Sequence, residues 1–241
     1  MSPKRVLVTR TAPDNARSAE ILVNRGFAPV LAPMLRIAPQ ADFDRSVLAD
    51  CAALAFSSAN GVRALGDCRS WRDLPVFAVG DATARAAQVA GFARVVSADG
   101  DVGALADLIA RDWSPTRGAI GHIRGSDIAG DLTAALSQSG VEIKSILVYE
   151  AIAQNAFDPN VMVLFAAGEI KGALFHSPRA AKIFSELTIA AHLAPALTGI
   201  AAVALSPAVA APISALPWRA LGVAAQPRED ALMAALCTLC L

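Results

Sequence analysis

The chain repeats three kinds of segment, here named A, B and C, in the order A-B-C-A-B-C. In the first copy of A, an apolar run ends at Arg10, sixteen residues before Gly26; in the second copy, Arg124 stands sixteen residues before Gly140. An ordered duplication of this length predicts two similar domains in one polypeptide. The fold must therefore be one that can occur twice in the same chain.

Each copy of A predicts a strand, a turn, a helix and a second strand. In the first copy, Val6 to Val8 is apolar, Pro13 marks the start of the helix, and Gly26 marks its left-handed end. The second extended segment covers 27–37 in the first copy and 141–152 in the second.

The B and C segments continue the alternation. Each B predicts a strand followed by a helix, with Ser58 and Ser177 as the helix N-caps. Each C predicts strand, helix, strand and helix, beginning at Val76 and at Ile200. Strands that alternate with helices favour right-handed βαβ units and parallel sheets.

The order of the segments is compatible with two domain partitions. The first is a simple tandem that divides near residue 115. The second takes the middle B-C-A as one continuous domain and joins the first A to the last B-C. The segments 32–40 and 146–154 would then be the crossings; they are apolar and extended, unlike a flexible linker, and would pair as a two-stranded ladder. The pattern alone leaves both partitions open.

Composition excludes several classes of function. With 55% hydrophobic residues, 17% charged residues and a net charge of zero, the chain carries no general attraction for nucleic acid or anionic membrane. The N-terminus lacks the features of a signal peptide. The segment 187–218 has no Asp, Glu, Lys or Arg, but four prolines interrupt it, so we expect no membrane span.

No metal or nucleotide motif is present in the sequence. Cys237 and Cys240 have no second pair to complete a zinc site, and the three histidines show no ligand spacing. The glycine-rich motifs for nucleotides and the serine nucleophile motif are also absent. We therefore expect neither a metal nor a cofactor.

Five segments resemble the uroporphyrinogen-III synthase family, and the resemblance covers essentially the whole chain. They are Val6-Leu-Val-Thr-Arg10, Phe56-Ser-Ser-Ala-Asn-Gly-Val62, Val79-Gly-Asp-Ala-Thr-Ala-Arg85, Leu147-Val-Tyr149-Glu and Phe175-His-Ser177-Pro. The resemblance implies an α/β fold with two similar, flavodoxin-like domains, each a parallel sheet flanked by helices, joined by a two-stranded β connector. It implies a discontinuous domain of 1–36 plus 154–241, a continuous domain of 41–148, and connector strands at 37–40 and 149–153, with the active site in the cleft.

The same resemblance implies a lyase of haem biosynthesis. Its substrate would be hydroxymethylbilane, a linear tetrapyrrole with eight carboxylates, cyclised with inversion of ring D and loss of water to give uroporphyrinogen III. It implies no cofactor or metal, a cytoplasmic location, and a monomer in transient contact with the preceding pathway enzyme.

Polar residues at the predicted strand ends are the candidates for holding such an anion. Ligands of parallel sheets bind at the carboxyl ends of strands, where helix N-termini attract negative charge. The predicted substrate-binding residues are Thr9, Arg10, Ser57, Ser58, Asn60, Gly80, Thr83, Arg124, Gly125, Ser126, Ser177 and Ser206. The alternative is that the serines, threonine and glycines only cap helices, and that Arg10 only pairs with Asp14.

Tyr149 is the predicted catalytic residue, because the resemblance implies a proton donor at this position. It is the only tyrosine of the chain and stands where the first copy of A has Leu35. The permuted arrangement predicts that the two residues lie side by side on the connector. The alternative role is a half-buried, hydrogen-bonded connector residue.

Two departures from the family pattern remain. Ser206 and Val209 replace the usual Gly-x-x-Thr of the second C, so we expect Ser206 to supply the hydroxyl; His176 and Arg179 are not typical either. A two-lobed, non-catalytic sensor of a polyanionic small molecule and a degenerate paralogue are the competing hypotheses.

Overall fold

A computed structural model describes residues 3–40, 42–126 and 130–240. The chain forms two compact units: unit 1 combines Met1–Arg36 with Ile152–Leu241, and unit 2 is Ile37–Ala151. The assignment of 37–40 and 149–153 as connector strands stays a prediction.

The strands are, in chain order, β1 (Arg5–Val8), β2 (Ala28–Leu31), β3 (Leu35–Pro39), β4 (Cys51–Phe56), β5 (Pro75–Ala78), β6 (Arg94–Ser97), β7 (Ala119–Gly125), β8 (Ile143–Ala153), β9 (Ile170–Phe175), β10 (Ala201–Ala204) and β11 (Ala220–Val223). The helices are α1 (Asp14–Asn24), α2 (Ala59–Leu65), α3 (Asp81–Val89), α4 (Val102–Asp112), α5 (Leu132–Ala135), α6 (Pro159–Ala166), α7 (Pro178–Ala190), α8 (Ala194–Leu197), α9 (Pro207–Ala210) and α10 (Glu229–Cys240). Short 3-10 turns cover Arg45–Leu48, Arg69–Trp71, Pro115–Arg117 and Ala211–Ile213.

Unit 1 contains a parallel sheet in the order β2-β1-β9-β10-β11. Numbered along the unit itself, this order is 2-1-3-4-5, which is the flavodoxin-like order. Val6, Leu7 and Val8 of the interior strand β1 are fully buried, because helices cover both faces of the sheet. The order reverses between β1 and β9, which makes their carboxyl ends the topological switch point of unit 1.

Unit 2 contains the sheet β6-β5-β4-β7-β8, with β3 added at the edge beside β8. The pairs from β4 to β8 are parallel, and along the unit the order is 3-2-1-4-5, another doubly wound arrangement. Its switch point lies between β4 and β7. The predicted α/β fold with two parallel sheets flanked by helices is confirmed, but only unit 1 has the flavodoxin-like strand order.

The predicted extended segment 27–37 is interrupted, whereas its counterpart in the second copy of A is continuous. The first copy divides into β2 and β3, and Pro33 lies in the break, where it offers no backbone N–H to continue a ladder. The second copy forms the unbroken strand β8 of eleven residues. The long β8 and the separate β3 therefore come from equivalent sequence positions.

Leu35 and Tyr149 do not lie side by side. Gln40 N donates to Val148 O at 2.9 Å, and Gln154 N donates to Met34 O at 3.0 Å, so β3 and β8 run antiparallel. Tyr149 is therefore beside the end of β3. Leu35, at the start of β3, packs against the core of unit 1, and Tyr149 belongs to the core of unit 2. The antiparallel pairing of two equivalent segments separates their equivalent residues.

The uncharged segment 187–218 is packed into unit 1. It supplies the end of α7, then α8, β10 and α9, and Leu197, Val203 and Ile213 are fully buried. Within the ranges given above, none of the helices has both the length and the apolar composition needed to cross a bilayer.

Candidate functional site

At the switch point of unit 1, Arg10 follows β1 and His176 follows β9. Both side chains contact the carboxylate of Glu229, the first residue of α10. Arg10 Nη1 donates to Glu229 Oε2 at 3.1 Å, and His176 Nε2 lies 3.1 Å from the same oxygen and 3.3 Å from Oε1. Ser18 Oγ of α1 donates to Glu229 Oε1 at 2.8 Å. These four residues are named the Arg10 cluster.

The Glu229 carboxyl is held ionised by its partners. Burial raises its pKa, but the hydrogen bond and charge of His176, the hydrogen bond of Ser18 and the charge of Arg10 outweigh burial and lower the pKa to about 2. Arg10 also lies 3.7 Å from Asp14, the salt bridge that the sequence offered as an alternative to ligand binding. The guanidinium of Arg10 is thus neutralised within unit 1.

The other predicted residues of unit 1 have different surroundings. Thr9 is fully buried and its hydroxyl donates to Leu174 O at 2.7 Å, so its side chain ties β1 to β9 and has no exposed surface to meet a ligand. Ser177 caps α7, its Oγ accepting from Ala180 N at 3.1 Å, as predicted. Ser206 begins α9 without a side-chain capping bond, so its hydroxyl is not used for that purpose. Val209 is buried, in keeping with an apolar residue.

In unit 2, four predicted residues come together at the carboxyl end of β7. Arg124, Gly125 and Ser126 form this end, and Tyr149 of the neighbouring strand β8 is paired with Gly125. Ser126 N donates to Tyr149 O at 3.0 Å, and Ser126 Oγ accepts from Ala151 N at 3.4 Å. These four residues, Arg124, Gly125, Ser126 and Tyr149, are named the Tyr149 cluster.

The tyrosine ring lies flat against the backbone of Gly125. A Cβ atom at position 125 would lie 2.5 Å from Tyr149 Cε2 and 2.8 Å from its hydroxyl oxygen, so only glycine fits there. The register of β7 and β8 shifts between Arg124 and Gly125, which brings the ring over this backbone. Tyr149 is 7% exposed, and its hydroxyl makes no hydrogen bond with any residue of the described ranges.

Arg124 differs from its counterpart Arg10. Its Nη1 donates to the carbonyl of Gly125 at 3.0 Å, and it forms no ion pair with a carboxylate of the described residues. The two arginines hold equivalent places in the duplicated sequence. Within the described residues, Arg10 is paired with carboxylates and Arg124 is not.

Ser57 lies across the switch point of unit 2 and contacts His122. The distance between Ser57 Oγ and His122 Nε2 is 3.1 Å. Burial and, to a smaller extent, the charge of Arg124 lower the pKa of His122 to about 4, although the charge of Asp131 acts in the opposite direction. His122 is therefore neutral at pH 7, and this buried strand residue is the core histidine that its sequence position predicts.

The remaining predicted residues surround the starts of α2 and α3. Ser58 caps α2 by accepting from Asn60 N at 3.1 Å, and Asn60 Oδ1 accepts from Arg63 Nη1 at 2.8 Å. Gly80 precedes α3 in an extended conformation, and Thr83 in its first turn is buried. Ser58 therefore has the helix-capping role that was the alternative to ligand binding.

Sequence reasoning missed Ser18 and Glu229. Ser18 is an interior helix residue with no motif, and Glu229 is 219 positions from Arg10 in sequence. Acidic residues are common in a first helical turn, so nothing local distinguishes Glu229. Only the fold brings it to the switch point.

A basic cavity of about 840 Å³ lies at the opposite, amino end of the unit 1 strands. Its cations already have partners: Lys4 bonds to Cys240 O, Lys171 to Gly168 O, Arg219 to Leu239 O, and Arg5 pairs with Glu169. The polar switch points, not this cavity, match the position at which doubly wound sheets bind ligands. No group of His, Cys, Asp and Glu in the described ranges is arranged to hold a metal.

Two doubly wound α/β units with polar residues at their switch points define a class of protein that binds ligands at strand ends. A family model described as uroporphyrinogen-III synthase HemD matches residues 16–234. The chain belongs to the uroporphyrinogen-III synthase family.

Solved structures agree with this fold. A uroporphyrinogen-III synthetase from Helicobacter pylori aligns with a TM-score of 0.64 and 18% identity, over 98% of this chain and 99% of that one. A mutant uroporphyrinogen III synthase from the extremely thermophilic bacterium Thermus thermophilus aligns with a TM-score of 0.58 and 18% identity, over 98% of each chain. No curated protein sequence matches the chain significantly.

Proposed function

We infer that the protein is a lyase of tetrapyrrole biosynthesis that converts hydroxymethylbilane to uroporphyrinogen III, with inversion of ring D and loss of water. The observation that carries this inference is the family match over residues 16–234. The Tyr149 cluster supports it, because it combines a cation with a phenol, neither of which is paired with a carboxylate of the described residues.

The reaction asks for one proton to be donated and one to be released. The C–O bond of the hydroxymethyl group breaks, the departing oxygen takes a proton, and water leaves. The resulting cationic azafulvene is attacked by the substituted carbon of ring D, which gives a spiro intermediate. Rearrangement inverts the ring, and closure releases a proton, so that substrate equals product plus water.

We propose that Tyr149 donates the proton to the departing hydroxyl. The ring of Tyr149 is held against Gly125, which fixes the position of its hydroxyl. The hydroxyl makes no hydrogen bond to a described residue, so its proton can be donated to the substrate. A positioned general acid of this kind contributes roughly 10²- to 10⁴-fold to a rate.

The second task, closure through the spiro intermediate, depends on orientation. We propose that the carboxylates of the substrate are held by Arg124, Ser126 and Ser57 and by the backbone N–H groups at the starts of α3 and α7. Arg124 is the strongest of these groups, because its charge is not neutralised by a described carboxylate. Ser206 would supply a further hydroxyl.

We also propose that the protein acts as a cytoplasmic monomer that receives hydroxymethylbilane through transient contact with the preceding pathway enzyme. The place of the family in tetrapyrrole synthesis supports this proposal.

The decisive experiment adds the protein to freshly generated hydroxymethylbilane and separates the type I and type III products. The expected result is type III product in excess of the spontaneous type I product. Type I product alone would refute the assignment. If only type I product formed but a labelled polycarboxylate still bound to the protein, the protein would instead be a non-catalytic sensor.

A further inference from the structure

We propose that Glu229 occupies a carboxylate-binding site of unit 1, and that a carboxylate of the substrate replaces it there during binding. The proposal rests on the proposed function in one respect: it takes the ligand to be the octacarboxylate hydroxymethylbilane. The site itself is defined by Arg10, Ser18 and His176.

Three donors from separate elements converge on the Glu229 carboxylate. Ser18 Oγ reaches Oε1 at 2.8 Å, Arg10 Nη1 reaches Oε2 at 3.1 Å, and His176 Nε2 lies at 3.1 Å from Oε2. Arg10 and His176 follow β1 and β9, the strands that flank the switch point. This is the donor set that a ligand carboxylate needs, at the position where such a ligand is expected.

The His176 ring provides a second, independent observation. Its side chain is only 7% exposed, and Nδ1 is buried with no hydrogen-bond partner among the described residues. Buried polar atoms of folded proteins are almost always paired. The hydrogen bonding of the ring within the described residues is therefore made through Nε2, which faces the switch point and would serve a ligand carboxylate in the place of Glu229 equally well.

Glu229 does not serve its own helix. The adjacent Asp230 stays at the surface, where its carboxylate pairs with Arg228 at 2.7 Å. In the equivalent helix of unit 2, Asp101 turns back and caps α4 by accepting from Ala104 N at 3.0 Å. The Glu229 carboxylate is instead directed to the switch point, at 22% exposure. Glu229 is therefore the acidic residue of the first turn of α10 whose carboxylate contacts Arg10, Ser18 and His176.

An exchange of carboxylates explains why such a residue would be present. A buried or half-buried guanidinium without a partner is costly, and Glu229 provides that partner until the ligand arrives. Because one carboxylate replaces another, the net charge beside Arg10 is the same before and after the ligand binds. It also lowers the apparent affinity of the site by the fraction of time that Glu229 fills it.

The test compares Glu229→Gln with Asp230→Asn. Both changes remove one negative charge from the start of α10, but only the first removes the carboxylate that competes for Arg10, Ser18 and His176. Glu229→Gln is expected to lower the KM for hydroxymethylbilane by about 3- to 10-fold, whereas Asp230→Asn leaves it unchanged. An unchanged or raised KM in Glu229→Gln overturns the proposal, because Glu229 would then only stabilise the fold or hold Arg10 in place.

A second arm uses citrate as a small polycarboxylate probe and needs no enzyme assay. Added citrate should raise the thermal midpoint of Glu229→Gln by about 3 °C or more at saturation, and should not raise that of the wild type or of Asp230→Asn. The rise should disappear when Arg10→Gln is added. If Glu229→Gln does not fold, Glu229→Asp, whose carboxylate is one methylene shorter, takes its place with the same expected direction.

The two arms separate the two proposals. If the wild type forms no type III product, the proposed function fails while the citrate result still decides whether Glu229 fills an anion site. A citrate response that is the same in all variants refutes the site even if the enzyme is active.

Discussion

The two switch points come from duplicated sequence, yet they differ in charge and in accessibility. In unit 1, Arg10 is bonded to Glu229, and the cluster is closed by an internal carboxylate. In unit 2, Arg124 bonds only to the Gly125 carbonyl, and the neighbouring Tyr149 hydroxyl has no partner in the described residues. Equivalent strand ends of the duplicated sequence thus differ in structure: one holds an internal carboxylate, and the other has an arginine that pairs with no carboxylate of the described residues.

The largest expected effect concerns the donor of unit 2. Tyr149→Phe keeps the ring against Gly125 and removes only the hydroxyl, so kcat should fall by roughly 10²- to 10⁴-fold. Single-turnover conversion of hydroxymethylbilane measures the loss, and the thermal midpoint should stay near that of the wild type. A rate close to normal would remove Tyr149 from the chemistry.

The next effect concerns the support of that ring. Gly125→Ala places a Cβ atom 2.5 Å from Tyr149 Cε2, so the ring must move; we expect a loss of about 1–3 kcal/mol in the free energy of unfolding together with most of the activity. Urea denaturation measures the loss. Gly199→Ala is the matched control, because no atom lies within 4 Å of its added carbon, and it should change stability by less than about 0.5 kcal/mol.

The third effect separates the two arginines. Arg124→Gln should raise the KM by about tenfold with little change in stability, because it removes a charged hydrogen-bond donor that the fold does not use for an ion pair. Arg10→Gln should instead lower the free energy of unfolding by about 1–3 kcal/mol, because it leaves Glu229 short of a partner. Steady-state kinetics and urea denaturation of both variants give the comparison. The same KM change in both would show that the two strand ends are equivalent after all.

The smallest expected effect is the pH dependence of the free energy of unfolding that Glu229 of unit 1 causes. The pKa of Glu229 is about 2 in the folded protein against 4.5 for an ordinary glutamate. Its depressed pKa contributes stability that is present above about pH 4.5 and is lost as the pH falls towards 2. Urea denaturation at several pH values across this window should show a shallower acid loss for Glu229→Gln than for the wild type.

His122 changes stability in a different pH window. Its pKa is lowered from 6.5 to about 4, so its contribution is present above about pH 6.5 and is lost as the pH falls towards 4. The two contributions can therefore be distinguished. An equal slope below pH 4 in Glu229→Gln and the wild type would contradict the role assigned to Glu229.

Much of the fold was predictable because its signals are local. Ser58 and Ser177 cap their helices as their sequence positions predicted, and Gly26 and Gly140 both adopt the positive φ expected after a helix. The first long segment is divided at Pro33, which has no backbone N–H. This local signal was visible in the sequence, although the comparison of the two copies predicted a continuous segment. The Tyr149 cluster was only partly predictable, since Arg124, Gly125 and Ser126 stand at the end of one strand whereas Tyr149 lies inside the next.

The sequence by itself determined the duplicated α/β architecture, the parallel strands, the strand-end polar residues and the membership of the family. Repeats, caps and apolar runs act over a few residues, so they can be recognised without knowledge of the fold. Tertiary structure alone decided that Glu229 pairs with Arg10 from 219 positions away, that Arg124 bonds to the Gly125 carbonyl rather than to a described carboxylate, and that the Tyr149 ring lies against Gly125. The physical reason is that electrostatic pairing and steric contact depend on distance in space, which sequence separation does not reveal.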